Sequence, residues 1–202
     1  MQVSINDEGR TRDVFVLGAS AGGIRAVMEI LSRLPADLPA IVGVVIHRGA
    51  SSTADWSDVL GMRSRIRVVE PAHGDRLSRS VVYIAPPDCH MVVDSERVLL
   101  DHGPKRQFTR PAVDPLFTSA ALSFGPRVVG VVLTGGGQDG LQGLIAIHAA
   151  GGLALVQSPM EAVHASMPIH AITGDHVDAV LPLAAIGEAL VQLAHGEPVK
   201  IN

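Results

Sequence analysis

Short apolar runs without a polar face recur along this chain, each ending at a turn and each followed by apolar residues at helical spacing. Residues 127–133 read RVVGVVL and residues 40–46 read AIVGVVI. A strand with no polar side must be covered on both faces, which is the situation of strands in a parallel sheet packed between helices. Residues 13–17 (DVFVL), 66–69, 81–85 (VVYIA), 153–157 and 177–181 complete the expected strands. Between them, Ile24, Val27, Met28, Ile30, Leu31 and Leu34 fall on one helical face closed by Pro35. Further helices are expected over 51–62, up to about Phe124, from the glycine turn 134–140 to Ala150, and over 184–194. Residues 91–93 and 98–100, around Asp94-Ser95-Glu96, read as a small hairpin. The pattern specifies an α/β fold: a doubly wound, mostly parallel sheet with helices on both faces, three layers αβα, plus the hairpin.

The 202 residues suit one domain, taken as 13–195, with an N-terminal tail at 1–12 and a C-terminal tail at 196–202. Hydrophobic residues at 47% and charged residues at 18% exclude a disordered chain. Sixteen basic against twenty acidic residues give a net charge of −4, and only six residues are aromatic, so a nucleic-acid partner is not expected. The single cysteine, Cys89, permits no internal disulfide and fits a reducing compartment. No apolar run approaches the ~20 residues of a spanning helix, and the N-terminus lacks a signal core, so a cytoplasmic location without membrane insertion is expected.

Residues 18–22, Gly-Ala-Ser-Ala-Gly, form a G-x-S-x-G pattern at an expected strand-to-helix turn. Such a turn lifts a serine hydroxyl above the sheet edge, beside the N–H groups that open the helix. The same turn also suits a phosphate, or a serine that only caps the helix. His47 ends the second strand and Asp139 lies in the turn TGGGQDG after residues 127–133. Ligand clefts in open parallel sheets form beyond the carboxyl ends of the strands, so Ser20, His47 and Asp139 are brought to one edge. A serine hydroxyl is a weak nucleophile until a base accepts its proton, and the base needs an acid to fix its tautomer. Taken singly, His47 also reads as a strand end facing solvent and Asp139 as a helix cap. An α/β-hydrolase order, Ser…Asp…His, would instead draw its base from His164, His170 or His176.

Beyond these residues, the chain resembles the catalytic domain of the bacterial chemotaxis protein-glutamate methylesterases from about Val14 to Leu193. The resemblance rests on VLGASAGG (core 17–23), the strand-terminal His47, HGDRL (73–77), YIAPPDCHM (83–91), RPAVDPLF (110–117), LTGGGQDGLQG (133–143) and SPMEAVHASMP (158–168). It implies hydrolysis of glutamyl γ-methyl esters on cytoplasmic chemoreceptor helices with release of methanol, and in some members deamidation of receptor glutamines. It also implies Ser20 as nucleophile, His47 as base and Asp139 as its orienting acid, with no metal or organic cofactor. Typical members carry a phospho-accepting receiver domain. With about a dozen residues before the first expected strand, this chain reads as a catalytic domain alone: either excised, or a stand-alone esterase that is constitutive or controlled by a separate partner in trans.

The chain departs from the family pattern where Thr often follows the nucleophile (here Ala21), at His-Met-Pro (here His47-Arg48-Gly49), and at a Met before the acidic turn (here Gly137). Small residues leave the backbone N–H groups of Ala21 and Gly137 as expected oxyanion donors. Arg110 and Met91 are the candidates for substrate binding, with a structural role favoured for both His90 and Met91, and Cys89 reads as a bystander. Two other classes remain open: a non-catalytic module that docks a receptor or signalling partner on the same fold, and a nucleotide binder. The second lacks the P-loop lysine and the full G-x-G-x-x-G fingerprint.

Overall fold

The computed structural model describes residues 3–5, 10–52, 54–174 and 176–201. The chain runs through β1 (Val3–Ile5), β2 (Val14–Ala19), α1 (Gly23–Leu31), β3 (Ile41–Ile46), α2 (Trp56–Gly61), β4 (Arg67–Val69) and β5 (Val81–Ile84). The hairpin β6 (His90–Val93) and β7 (Val98–Asp101) follows, then α3 (Val113–Phe124), a 3-10 turn Gly125–Arg127, β8 (Val128–Val132) and α4 (Leu141–Ala149). The last elements are β9 (Leu153–Gln157), α5 (Ser166–Thr173), β10 (Ala179–Leu181), α6 (Leu183–Ala194) and β11 (Val199–Ile201).

Seven strands form one sheet in the order β10-β9-β8-β2-β3-β5-β4, every pair parallel. Alternation along β2 explains why both faces must be covered. Phe15 and Leu17 enter a core with Val27 and Ile30 of α1, Leu60 of α2, and Ile186 and Leu190 of α6. Val14 and Val16 enter a second core with Leu116 and Phe117 of α3, Leu144 of α4 and Met167 of α5. Each large apolar side chain buried this way contributes roughly 1.5–3 kcal/mol, so the two cores together fix the strand register.

The elements differ from expectation in three places. The helix expected over 51–62 begins only at Trp56, because Asp55 accepts hydrogen bonds from the N–H groups of Ser57 (2.9 Å) and Asp58 (3.2 Å) and caps it there. Helix α5 lies in a stretch where the resemblance implied only a helix start. The two terminal segments read as tails contain β1 and β11, which pair antiparallel, Val3 opposite Ile201.

Two features aim the fold at one edge. The chain leaves the central strand β2 through β3 on one side and returns through β8 on the other, so the crevice opens beyond their carboxyl ends. Helix α3 begins against β2 itself: a Cβ on Gly18 would meet Val113 Cγ1 at 2.3 Å, so only glycine lets the helix start that close to the strand end.

Candidate active site

Ser20 directly follows β2. Its N–H donates to the Thr134 carbonyl (3.0 Å), its carbonyl accepts from Gly23 N–H (2.8 Å), and Gly22 takes the left-handed conformation (φ +80°) that the turn requires. The Ser20 hydroxyl makes no hydrogen bond to a protein group among the described residues, and no side chain caps α1. The capping role that sequence alone left open is therefore not the one adopted. The second glycine turn presses against the first: a Cβ on Gly135 would stand 2.6 Å from Ser20 Cβ and 2.2 Å from Met167 Sδ.

Buried Thr134 ties three segments together. Its hydroxyl donates to the Ala21 carbonyl (3.0 Å) and accepts from His164 N–H (2.9 Å), while its own N–H donates to Gln157 Oε1 (2.8 Å). Gly135 then continues the connection, donating to the His164 carbonyl and accepting from Met167 N–H, both at 2.9 Å.

His47 and Asp139 meet at 2.6 Å through Nε2 and Oδ2. Asp139 is 2% exposed, and burial pushes its carboxyl upward. Hydrogen bonds from His47, Val113 N–H (2.7 Å) and Asp114 N–H (3.0 Å) outweigh burial and hold it below the usual carboxylate range. The acid is therefore ionised at neutral pH, so His47 Nε2 carries the proton and donates. Nδ1 has no protein partner among the described residues. Thr109 places its hydroxyl 3.4 Å from the same Nε2.

The acid is held by a reciprocal arrangement. Asp139, from the turn before α4, accepts the first N–H groups of α3; Asp114, in the first turn of α3, accepts from Gly140 N–H (3.0 Å) and Gly143 N–H (2.8 Å) at the start of α4. Each helix start is closed by an acid from the other. Burial and the neighbouring negative charge of Asp139 push Asp114 up to about 6.

A cleft of about 280 Å³ opens beside this pair, lined by His47, Phe108, Thr109, Gly137, Asp139 and His170 among others. Gly137 stands at φ +83°, and neither its N–H nor that of Ala21 donates to a protein group among the described residues. No hydrogen bond joins Ser20 Oγ to His47; such contacts are often long before substrate arrives.

Not every candidate reaches the cleft. Met91 is a correction: it is completely buried in the core beneath α3, because β6 turns that side chain inward. Arg110 reaches the rim, but its guanidinium is committed to Asp88 (2.6 and 3.0 Å) and to the carbonyls of His102 and Gly103 (2.8 Å each), where it braces the loop. Arg48 folds inward onto Glu70 (2.7 Å) and the Ala85 carbonyl (2.9 Å), with Trp56 beneath it. His90 is structural, bridging the Pro104 carbonyl and Ala112 N–H. Cys89 is buried, and burial raises its thiol. Among the alternative bases, His170 reaches the cleft but bonds the Ser166 carbonyl, while His176 stacks on His148. Asp139 pairs with His47.

Thr109, Asp114 and Thr134 were not among the sequence candidates. Asp114 carried the clearest signal, an acid in the first turn of a helix that has no capping side chain of its own.

Comparison with known proteins identifies the family. The profile described as CheB methylesterase matches residues 15–190. A Leptospira interrogans protein carrying the name protein-glutamate methylesterase/protein-glutamine glutaminase is 37% identical over 182 residues, spanning 90% of this chain and 94% of that protein. The protein-glutamate methylesterase FrzG of Myxococcus xanthus is 39% identical over 87% of this chain, which spans 53% of FrzG. Among solved structures, the Thermotoga maritima CheB methylesterase catalytic domain superposes with a TM-score of 0.87 at 32% identity, covering 91% of this chain and 99% of that one. With the fold, the order of motifs and a profile over most of its length in agreement, the chain belongs to the CheB methylesterase family.

Proposed function

We propose that this chain hydrolyses glutamyl γ-methyl esters on the helices of chemoreceptors, releasing methanol, with residues 13–195 as the catalytic unit. The observation that carries the reading is the 2.6 Å bond between His47 and a buried, ionised Asp139, set at the same strand edge as the unengaged hydroxyl of Ser20. Ser20 Oγ attacks the ester carbonyl as His47 Nδ1 takes its proton, and Asp139 stabilises the imidazolium that forms. The N–H groups of Ala21 and Gly137 hold the oxyanion. Collapse of the tetrahedral intermediate breaks the bond to the methoxy oxygen, and His47 returns the proton to give methanol. Water, deprotonated by His47, then attacks the acyl-serine, releasing the glutamate carboxylate and restoring Ser20.

The same steps with an amide leaving as ammonia deamidate a receptor glutamine, the second activity in the Leptospira protein's name. A receptor helix is the macromolecular partner in this reading, and a separate regulatory protein acting in trans is compatible with it. The test is methanol release from methyl-labelled receptor membranes. Wild type releases it, and Ser20→Ala lowers the rate by at least ~10⁴-fold. Near wild-type release by the variant contradicts the mechanism.

A further inference from the structure

The segment between β7 and α3 contains a feature that the chemistry above does not use. Arg106 and Thr109 exchange backbone hydrogen bonds (3.0 and 2.8 Å), closing a two-residue hairpin whose tip residues, Gln107 and Phe108, both stand at positive φ (47° and 64°). Turns of this kind favour asparagine and glycine, and a bulky aromatic at the second tip position is a strained choice. Phe108 is nonetheless 94% exposed, so core packing does not account for it. Strained backbone of this sort is drawn to ligand-binding positions.

Two cavities flank the tip, and His47, Phe108 and Thr109 line both. One is the cleft on the side of Gly136 and Gly137. The other, about 270 Å³, is walled by Arg48, Lys105 and Arg110. The guanidinium groups of Arg48 and Arg110 are already paired with Glu70 and Asp88, and the charges of His102 and Lys105 join Arg110 in holding the Asp88 carboxyl below its ordinary value. Lys105 and Arg106 are exposed and make no side-chain hydrogen bond or ion pair among the described residues. Lys105, in the wall of the second cavity, and Arg106, next along the hairpin, thus put two cations without a hydrogen-bonded partner on the segment that carries the exposed ring, on a chain whose net charge is −4.

We infer that this hairpin is a substrate-docking finger, with Phe108 seating an apolar side chain of the substrate and Lys105 and Arg106 binding carboxylates that neighbour the ester in an acidic segment. The inference rests on the esterase reading and adds its specificity: the ester enters the chamber by Gly137, and an adjacent acid enters the basic chamber. Charge complementarity selects this occupant, since a basic or neutral segment would leave both cations unpaired.

The probes are two synthetic peptides, identical except that one γ-methyl-glutamate is flanked by glutamates in the first and by glutamines in the second. Two exposed ion pairs together give wild type about a five- to tenfold preference in kcat/KM for the acidic peptide. The preference lies in KM and shrinks with added salt. It falls to about one in the Lys105→Gln, Arg106→Gln double variant and is retained when Lys105→Arg and Arg106→Lys are combined. Phe108→Ala raises KM for both peptides. Equal hydrolysis of the two peptides by wild type, or a preference that survives the double variant, overturns the inference. If wild type cleaves neither peptide, the esterase reading fails and fluorescence anisotropy decides the docking surface separately. Salt-sensitive binding of the acidic peptide that the double variant loses upholds the finger, and absence of binding overturns it.

Discussion

His47 spends Nε2 on Asp139, which leaves Nδ1 as the nitrogen available to the serine, and that assignment follows from a single 2.6 Å contact. Behind the contact stands Asp114. Because burial and Asp139 raise Asp114 to about 6, it gains its negative charge as the pH passes that value. A second negative charge next to Asp139 favours the imidazolium that develops in the transition state, so activity rises with pH through this ionisation. The expected outcome for Asp114→Asn, which can still accept the N–H groups of Gly140 and Gly143, is a kcat/KM profile lacking the component near pH 6. A profile that keeps that component assigns it to another group. Asp114 was present in the sequence as part of RPAVDPLF, but its partner Asp139 lies 25 residues along the chain, and no local pattern joins the two.

Elements, rather than single residues, bring the parts of the site together. Two glycine turns and the segment leading into α5 are tied together by backbone bonds and by one hydroxyl, that of Thr134. Thr134→Val keeps the shape but strands His164 N–H and the Ala21 carbonyl. We expect a loss of about 1–3 kcal/mol in stability. A ten- to hundredfold drop in kcat, of the order that a small misplacement of reacting groups brings, accompanies it with KM little changed. Urea melts and steady-state kinetics read both, and an unchanged kcat means that the glycine contacts alone hold the turns. The strands and most helices were legible because unbroken apolar runs admit few alternatives. Helix α5 was less so, since the resemblance implied only its start; Pro168 sits in its first turn, where no N–H partner is needed. Met91 was misplaced because its neighbours lie close in sequence to the cleft, whereas strand alternation sends its side chain to the core.

At the scale of the molecule, the chemistry gathers at the carboxyl end of the sheet while a separate device secures the other end. Asp13, 3% exposed before β2, accepts from Arg127 Nε (2.7 Å) and Nη2 (2.9 Å) and from Arg79 Nη2 (2.7 Å). Burial pushes its carboxyl up, but the two arginines outweigh burial and hold it below the ordinary value. A carboxylate lowered by folding contributes stability that is fully present above its unfolded value of ~3.9 and is lost as the pH falls through its folded value. Asp13→Asn should therefore lower stability by roughly 1–3 kcal/mol at neutral pH, with the gap closing in acid. A gap independent of pH would show that the ion pairs are not its source. Composition and strand pattern made the α/β class readable, whereas the pairing of Asp13 with Arg79 and Arg127 depends on three segments that only the closed sheet brings together.

The central claim is that Ser20 is a nucleophile activated by His47 and Asp139, and its most direct test is covalent. Wild-type protein incubated with a fluorophosphonate and digested for mass spectrometry should carry one adduct, on Ser20. The adduct should be absent in Ser20→Ala, and in Asp139→Asn it should form far more slowly. Failure of wild type to label at Ser20, or labelling that Asp139→Asn leaves at the wild-type rate, would contradict the account.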